Sequence, residues 1–564
     1  MISEAMKIIN RLYILPFLLV VAICSTPTQS RALTSNNIPL DSPIYLYLEK
    51  LTGLGAVTSD IKGIKPFSKA EAARLVLEAE KNLPSLDIES RDFATDLIKE
   101  LRKRLSRELS LYTEPEKAPG FDYNFIDYAR LRYVYLDGTP RSYTRPVYDR
   151  SHQSAFGFIG GDLRPIDPSI VHHFGTEGTP LTENNEGVVY RDGHGAELRW
   201  GMEAFVSRWA SLAVEPIAIT TPDADGSGQA NRFALQKGYV KLGGGGLELE
   251  VGRDANWFGP GYRGALSLSS NAKNFDMIKL SSPEPLNVGW VKKYLGDFKY
   301  SIIFSRFDET GEGDDRRKPY FFGVKMALKP TPWFELGGNF VRQEGGPGHG
   351  DKHPSIGDFL FGGTNSDTSN SIAGIDLRFR LPWLRHTELY AEYVGEDSAS
   401  FWPFVESYVA GFFIPQLTAD GKNDLRFEFF YGNSILYADH NFPVAGYTYH
   451  GMPVGHSQGG AAIEFYLRYS HWFSARNNLA LELIRTDRGH EGRVHVDASG
   501  NYDPAGVRQA EERKHAVRVS WRLPVYGDVD MNLLYGCEKI DNYNLISGND
   551  RTNHLFRMDL SYRY

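Results

Sequence analysis

The stretch Arg551-Thr-Asn-His-Leu-Phe-Arg-Met-Asp-Leu-Ser-Tyr-Arg-Tyr564 decides the reading of this chain. Phe556, Met558, Leu560, Tyr562 and Tyr564 take alternate positions, with Arg557, Asp559, Ser561 and Arg563 between them. A period of two puts these sets on opposite faces of a strand. A last strand with one apolar face and an aromatic final residue fits the closing strand of an outer-membrane β-barrel, with its apolar side to lipid and its polar side to the lumen. An edge strand of a soluble all-β domain has the same period, so the rest of the chain must decide.

The connections carry that decision. Short ones fall near residues 207–208, 243–246, 295–297, 330–332, 382–383, 415–423, 473–477 and 524–527. Long, polar, Gly-rich ones fall at 137–190, 221–232, 255–285, 308–318, 344–370, 396–403, 432–459, 488–508 and 541–551. Short and long alternate, as periplasmic turns and outer loops do in such barrels, and together they predict about eighteen antiparallel strands. So many strands without a domain break argue against a soluble sandwich. Individual strands repeat the pattern. Leu425, Phe427, Phe429 and Tyr431 oppose Arg426, Glu428 and Phe430, and Val517, Val519, Trp521 and Leu523 oppose Arg518, Ser520 and Arg522. Phe298, Tyr300, Ile302 and Phe304 form another such face, and the less regular Phe321, Val324, Met326 and Leu328 predict a bulge.

Composition agrees. A chain of 564 residues exceeds one ordinary core, and 13% aromatics suit strands and membrane-interface belts. A net charge of −8 gives no electrostatic reason to expect a nucleic-acid partner. Cys24 sits in the predicted leader, which leaves Cys537 without a partner and rules out a disulfide scaffold or a cysteine zinc site.

The first residues, 1–32, read as a secretory signal: Lys7 and Arg11, an apolar run from Leu12 to Ile23, then a small, polar segment. Residues 38–112 change to helical period. Ser42-Pro43 opens one helix, Ser68-Lys69-Ala70-Glu71 is a capping box for a second, and Phe93, Leu97, Leu101, Leu105 and Leu109 line a third. Residues 113–120 form a Pro-rich linker, and 121–564 are the barrel. Both barrel ends then fall on the turn side, which places the helical module in the periplasm and the long loops at the cell surface. The helix, Gly-Leu-Gly-Ala and Lys65-Pro-Phe-Ser-Lys-Ala-Glu71 are similar to an S-layer-homology module, a resemblance that implies attachment to peptidoglycan.

The densest unusual segment is Gly252-Arg-Asp-Ala-Asn-Trp-Phe-Gly-Pro-Gly-Tyr262. Gly259, Pro260 and Gly261 force a bend. Trp257, Phe258 and Tyr262 offer faces that stack on sugar rings, and Arg253, Asp254, Asn256 and Arg263 offer bonds to hydroxyls or carboxylates. A loop tucked into the barrel mouth would use the same aromatics as packing. Trp402 is a second aromatic candidate, or a member of the interface belt. The Gly-Arg strand end, the Trp-Phe-Gly-Pro-Gly run and Leu266-Ser-Leu-Ser-Ser-Asn-Ala272 together resemble the Wzi-type capsule-assembly family. That resemblance implies an outer-membrane lectin that binds capsular or exopolysaccharide and organises it at the cell surface, among outer-membrane lipid and lipopolysaccharide.

Other motifs are weak. Asp223-Ala-Asp-Gly-Ser-Gly228 begins like a calcium loop, but Ala234 stands where a bidentate acid is needed. His172-His173 and the pair His349 and His353 sit in loops. No Gly-x-Ser-x-Gly, His-Glu-x-x-His or phosphate loop occurs, so no catalytic residue, metal or cofactor is expected. Two alternatives stay open: a diffusion porin whose helices grip the cell wall, and an outer-membrane hydrolase.

Overall fold

The computed structural model describes residues 33–138, 142–148, 170–176, 181–223, 228–244, 246–286, 289–309, 318–346, 369–399, 402–433, 436–437, 446–489 and 493–563. For 142–148, 170–176, 397–399 and 402–405 it describes backbone only. The predicted signal at 1–32, residues 310–317 of the long connection 308–318, most of the calcium-like loop and His349 and His353 lie outside these residues.

Eighteen antiparallel strands close into one barrel. The first half runs β1 Asp122–Asp137, β2 Gly193–Val206, β3 Ala210–Pro222, β4 Gln229–Gly244, β5 Leu247–Asp254, β6 Phe275–Ser281, β7 Asp297–Arg306, β8 Tyr320–Thr331 and β9 Phe334–Glu344. The second runs β10 Ser369–Leu381, β11 Thr387–Ala399, β12 Trp402–Ile414, β13 Asn423–Gly432, β14 Ala462–Ser474, β15 Asn477–Arg488, β16 Glu512–Tyr526, β17 Val529–Asp541 and β18 Arg551–Tyr562. Closure is made by β18 on β1, with Leu560 opposite Leu131 and Phe556 opposite Tyr135. Every strand edge in the barrel is thereby paired, the condition a lipid-embedded sheet must meet.

The alternation reads through to the faces. On β18, Asn553, Leu555 and Asp559 are buried inside, while Phe556 is 37% exposed outside. Outward Leu483, Val517 and Tyr535 are likewise exposed. Inward positions are charged and buried: Arg132, Lys325, Arg378, Arg426, Glu428, Glu464 and Arg518. At the turn end Trp209, Trp333 and Trp383 stand out from the barrel wall as an aromatic girdle.

Three expectations are corrected. The segment 255–285 is not one loop, because β6 occupies Phe275–Ser281 within it. The turn after it is longer than 295–297 and contains a helix, Gly289–Leu295. No register break falls between Phe321 and Val324, since β7 and β8 pair without a shift from Asp297–Lys329 to Arg306–Tyr320; the irregularity of β8 lies instead at its turn end, between Leu328 and Thr331 against β9. Phe321 simply points inward, into an apolar cluster with Phe258 and Phe275.

The helical residues form α1 (Pro43–Gly53), α2 (Lys69–Asn82), α3 (Ile88–Arg104) and α4 (Ser106–Thr113). The Ser42 hydroxyl caps α1 and the Ser68 hydroxyl caps α2, as their sequences require. Their core is not separate from the barrel: Tyr47, Leu51 and Phe93 cluster with Trp472 and Ala475 at the turn end. Trp472, 2% exposed, lies edge-on to Phe93 and donates its indole N–H to Asp424 at 2.9 Å. Trp472→Ala is therefore expected to keep the barrel but weaken helix docking by about 3–5 kcal/mol. Trypsin cutting near Arg102 to Arg107, under conditions that spare the unaltered protein, would show it.

Candidate functional site: the filled lumen

The segment between β5 and β6 folds into the barrel. Ala255, Trp257, Phe258, Leu266 and Leu268 are all at most 5% exposed. The bend depends on glycine. At Gly261 an added Cβ would stand 2.0 Å from the Gly264 carbonyl oxygen, and Gly259 adopts φ +144° beside Glu392. Here the N-terminal segment meets it from the turn end: Ile64 and Lys65 pair with Phe258 and Trp257 as a two-stranded sheet, and the Gly259 N–H donates to Gly63 O at 3.0 Å.

Inward carboxylates of the barrel hold this plug by its backbone. Glu428 accepts from the N–H groups of Tyr262 (2.7 Å) and Arg263 (2.9 Å), and Glu392 accepts from that of Leu266 (3.1 Å). Arg263 forks between Glu464 of β14, at 2.8 Å, and Glu183 of the long β1–β2 connection. Burial would lower the Arg263 pKa, but Glu183 and Glu464 more than offset it and raise it well above the ordinary value. The same connection and the one between β13 and β14 also pack on the plug. Glu186 N–H donates to Ser270 O at 2.7 Å, and Ser269 N–H donates to Val454 O at 2.9 Å. His456 stacks on Phe430 with ring centres 3.8 Å apart.

The predicted site residues separate. Arg253 lies on the outer face and pairs with Asp276 at 2.9 Å. Asp254 and Asn256 turn inward, toward Asn37 (2.7 Å) and Lys279 (3.2 Å). Phe258 is fully buried in the plug. Trp257 is covered by Lys65, whose ammonium lies 5.1 Å from the ring centre and is lowered by burial to about 8. Tyr262 lies between the guanidinium groups of Arg426 (4.2 Å) and Arg468 (5.7 Å). Trp402 begins β12 at the loop end, with its side chain outside the described residues. Trp257, Tyr262 and Arg263 border a cavity of about 360 Å³, and Tyr262 also borders a neighbour of about 330 Å³. Sequence reasoning missed Glu183, Glu428 and Glu464 as partners of the plug; only their inward strand or loop positions hinted at it.

Comparison with known proteins places this architecture. The model of the capsule assembly protein Wzi family matches residues 164–555. The chain belongs to the Wzi family. A Wzi structure, that of a carbohydrate-binding β-barrel of the outer membrane involved in group 1 capsule assembly in Escherichia coli, superposes with TM-score 0.62 at 18% identity, covering 93% of this chain and 99% of that one. A curated relative, an uncharacterized 55.8 kDa protein in the cps region of Klebsiella pneumoniae, is 27% identical over 172 residues, 29% of this chain and 33% of its own length. The match thus spans about a third of that relative. As a Wzi-family barrel the chain is an outer-membrane protein, and no described helix is long and apolar enough to cross a membrane. The filled lumen does not favour the porin alternative. Among the described residues no group of three or more His, Cys, Asp or Glu could hold a metal.

Proposed function

We propose that this Wzi-family barrel binds capsular or exopolysaccharide at its loop end and organises the polymer at the cell surface, without changing it chemically. The observation that carries this reading is the lumen itself. A barrel of eighteen strands, wide enough for an aqueous channel, is filled by the chain's own segments. What it offers a solute is therefore its elaborated loop rim rather than a path. The turn end, with helices α2 and α3, faces the periplasm within reach of peptidoglycan, and lipopolysaccharide surrounds the loop end. Contacts to sugar come from rim residues such as Trp402, while Trp257, Phe258, Tyr262 and Arg263 hold the floor beneath them in shape.

Binding to a repeating polymer sums several weak contacts. Cutting the polymer to single repeats is expected to lower apparent affinity on the order of 10²–10⁴-fold, measured on immobilised barrel. Deleting the gene is expected to shed polysaccharide into the medium. Polymer that stays attached while solute uptake falls would return the porin reading. Polymer that shortens on incubation with purified protein would establish a hydrolase.

A further inference from the structure

The helix α5 (Gly289–Leu295) lies on the outside of the barrel. Strand parity shows it. On β7 the residues Phe298, Tyr300, Ile302 and Phe304 share the outward face, and Phe304 is 39% exposed, yet Tyr300 is 0% and Phe298 3% exposed. Their cover is Val291 of α5, itself 0% exposed, with Leu286 just before it. Outward Leu280 of β6 and Met326 and Leu328 of β8 complete this external cluster. The helix thus spends its apolar side on the barrel and turns a different side away from it. That side holds Trp290 at 45% exposure, Tyr294 at 71%, and the exposed Lys292 and Lys293. Lys293 stands 5.2 Å from the Tyr294 ring centre, and Lys292 reaches Asp297 at 3.3 Å with its side chain still 57% exposed.

Two further facts fix what this surface meets. The helix joins the turn ends of β6 and β7, the end that carries the girdle of Trp209, Trp333 and Trp383. Trp and Tyr at that level sit among lipid headgroups. Paired lysines beside them supply positive charge, on stems long enough to reach phosphate from an apolar seat. We propose that α5 is a seat for the headgroups of anionic phospholipid in the leaflet at the turn end. This rests on the membrane placement of the barrel and is independent of the polysaccharide reading.

The test uses the full chain reconstituted in vesicles, with Cys537→Ser and Tyr294→Cys carrying a fluorophore. Quenching by headgroup-proximal nitroxide on phosphatidylglycerol is compared with the same nitroxide on phosphatidylcholine. Phosphatidylglycerol is expected to quench the more efficiently. That preference should fall at least about fivefold for each lysine reversed in Lys292→Glu and Lys293→Glu. A label at Trp383→Cys, four strands further round the girdle, controls for a general surface effect, and heat-modifiable migration confirms folding. Equal quenching by both lipids, full access to aqueous iodide, or a preference untouched by charge reversal would overturn the proposal. Polysaccharide binding, read on the same preparation, reports separately on the function proposed above.

Discussion

Replacing Arg263 by Met is expected to unseat the plug while the barrel stays closed. Arg263 is where three pieces of chain meet: the plug itself, the connection carrying Glu183, and the inward face of β14 through Glu464. Both carboxylates are only 1% exposed. Removing the cation leaves buried negative charge with less compensation, and breaking one side of such a pair costs about 3–5 kcal/mol. Glu183 keeps Arg518 at 3.0 Å, so the loss concentrates at Glu464 and at the plug backbone. None of these bonds belongs to the ladder that closes the barrel. The variant should therefore migrate as a folded, heat-modifiable barrel yet pass ions in planar bilayers where the unaltered protein is silent. Arg263→Lys keeps the charge but loses the fork and should fall between the two. A silent bilayer with an unchanged melting point would contradict this account.

The second large effect is expected at Asp60, which docks the N-terminal segment to β8 and β10. Its carboxylate receives Lys329 at 2.8 Å, Arg378 at 3.0 Å and Arg380 at 3.5 Å. Burial would raise the Asp60 pKa, but the three cations more than offset it and hold it well below the usual carboxylate range. Asp60→Asn leaves those cations facing one another, at a cost of about 3–5 kcal/mol. The same shift sets a pH dependence. The folded pKa lies below the unfolded value of about 3.9, so the Asp60 contribution is complete above roughly pH 4 and fades as pH falls below it. Glu49, held low against burial by Arg426 and Lys62, adds to the loss in the same direction. Protease release of the helical segment, followed from pH 7 down to about pH 3, should rise steeply at the acid end in the native chain. In Asp60→Asn release should be high already at neutral pH, with a shallower acid rise. Release that is flat in the native chain would remove Asp60 from this role.

How far the sequence reached is clearest at three places. The strands around Phe556, Phe427 and Val517 were legible because burial on one face and lipid on the other impose a period of two. The helix α5 was not. In Gly289-Trp-Val-Lys-Lys-Tyr-Leu295 two apolar pairs flank two adjacent lysines, and over seven residues strand and helix periods cannot be told apart. The count of strands survived because β6, hidden in an expected loop, replaced the strand that α5 displaced. The segment around Trp257 was legible as unusual and as a member of the Wzi-type pattern, yet its role as plug or as exposed sugar face was undecided.

The alternation of side chains, together with the alternation of short turns and long loops, pointed to a closed, lipid-facing sheet and named the residues that look inward, because both patterns are local and set by the solvent on each side. Which inward group meets which was decided only by the tertiary structure. Tyr262 meets Glu428 across 166 residues, Arg263 meets Glu464 across 201 and Asp60 meets Lys329 across 269. Such pairings exist only once the ring has closed and brought distant strands to face one common interior, and they turn a barrel wide enough to conduct into one filled from within.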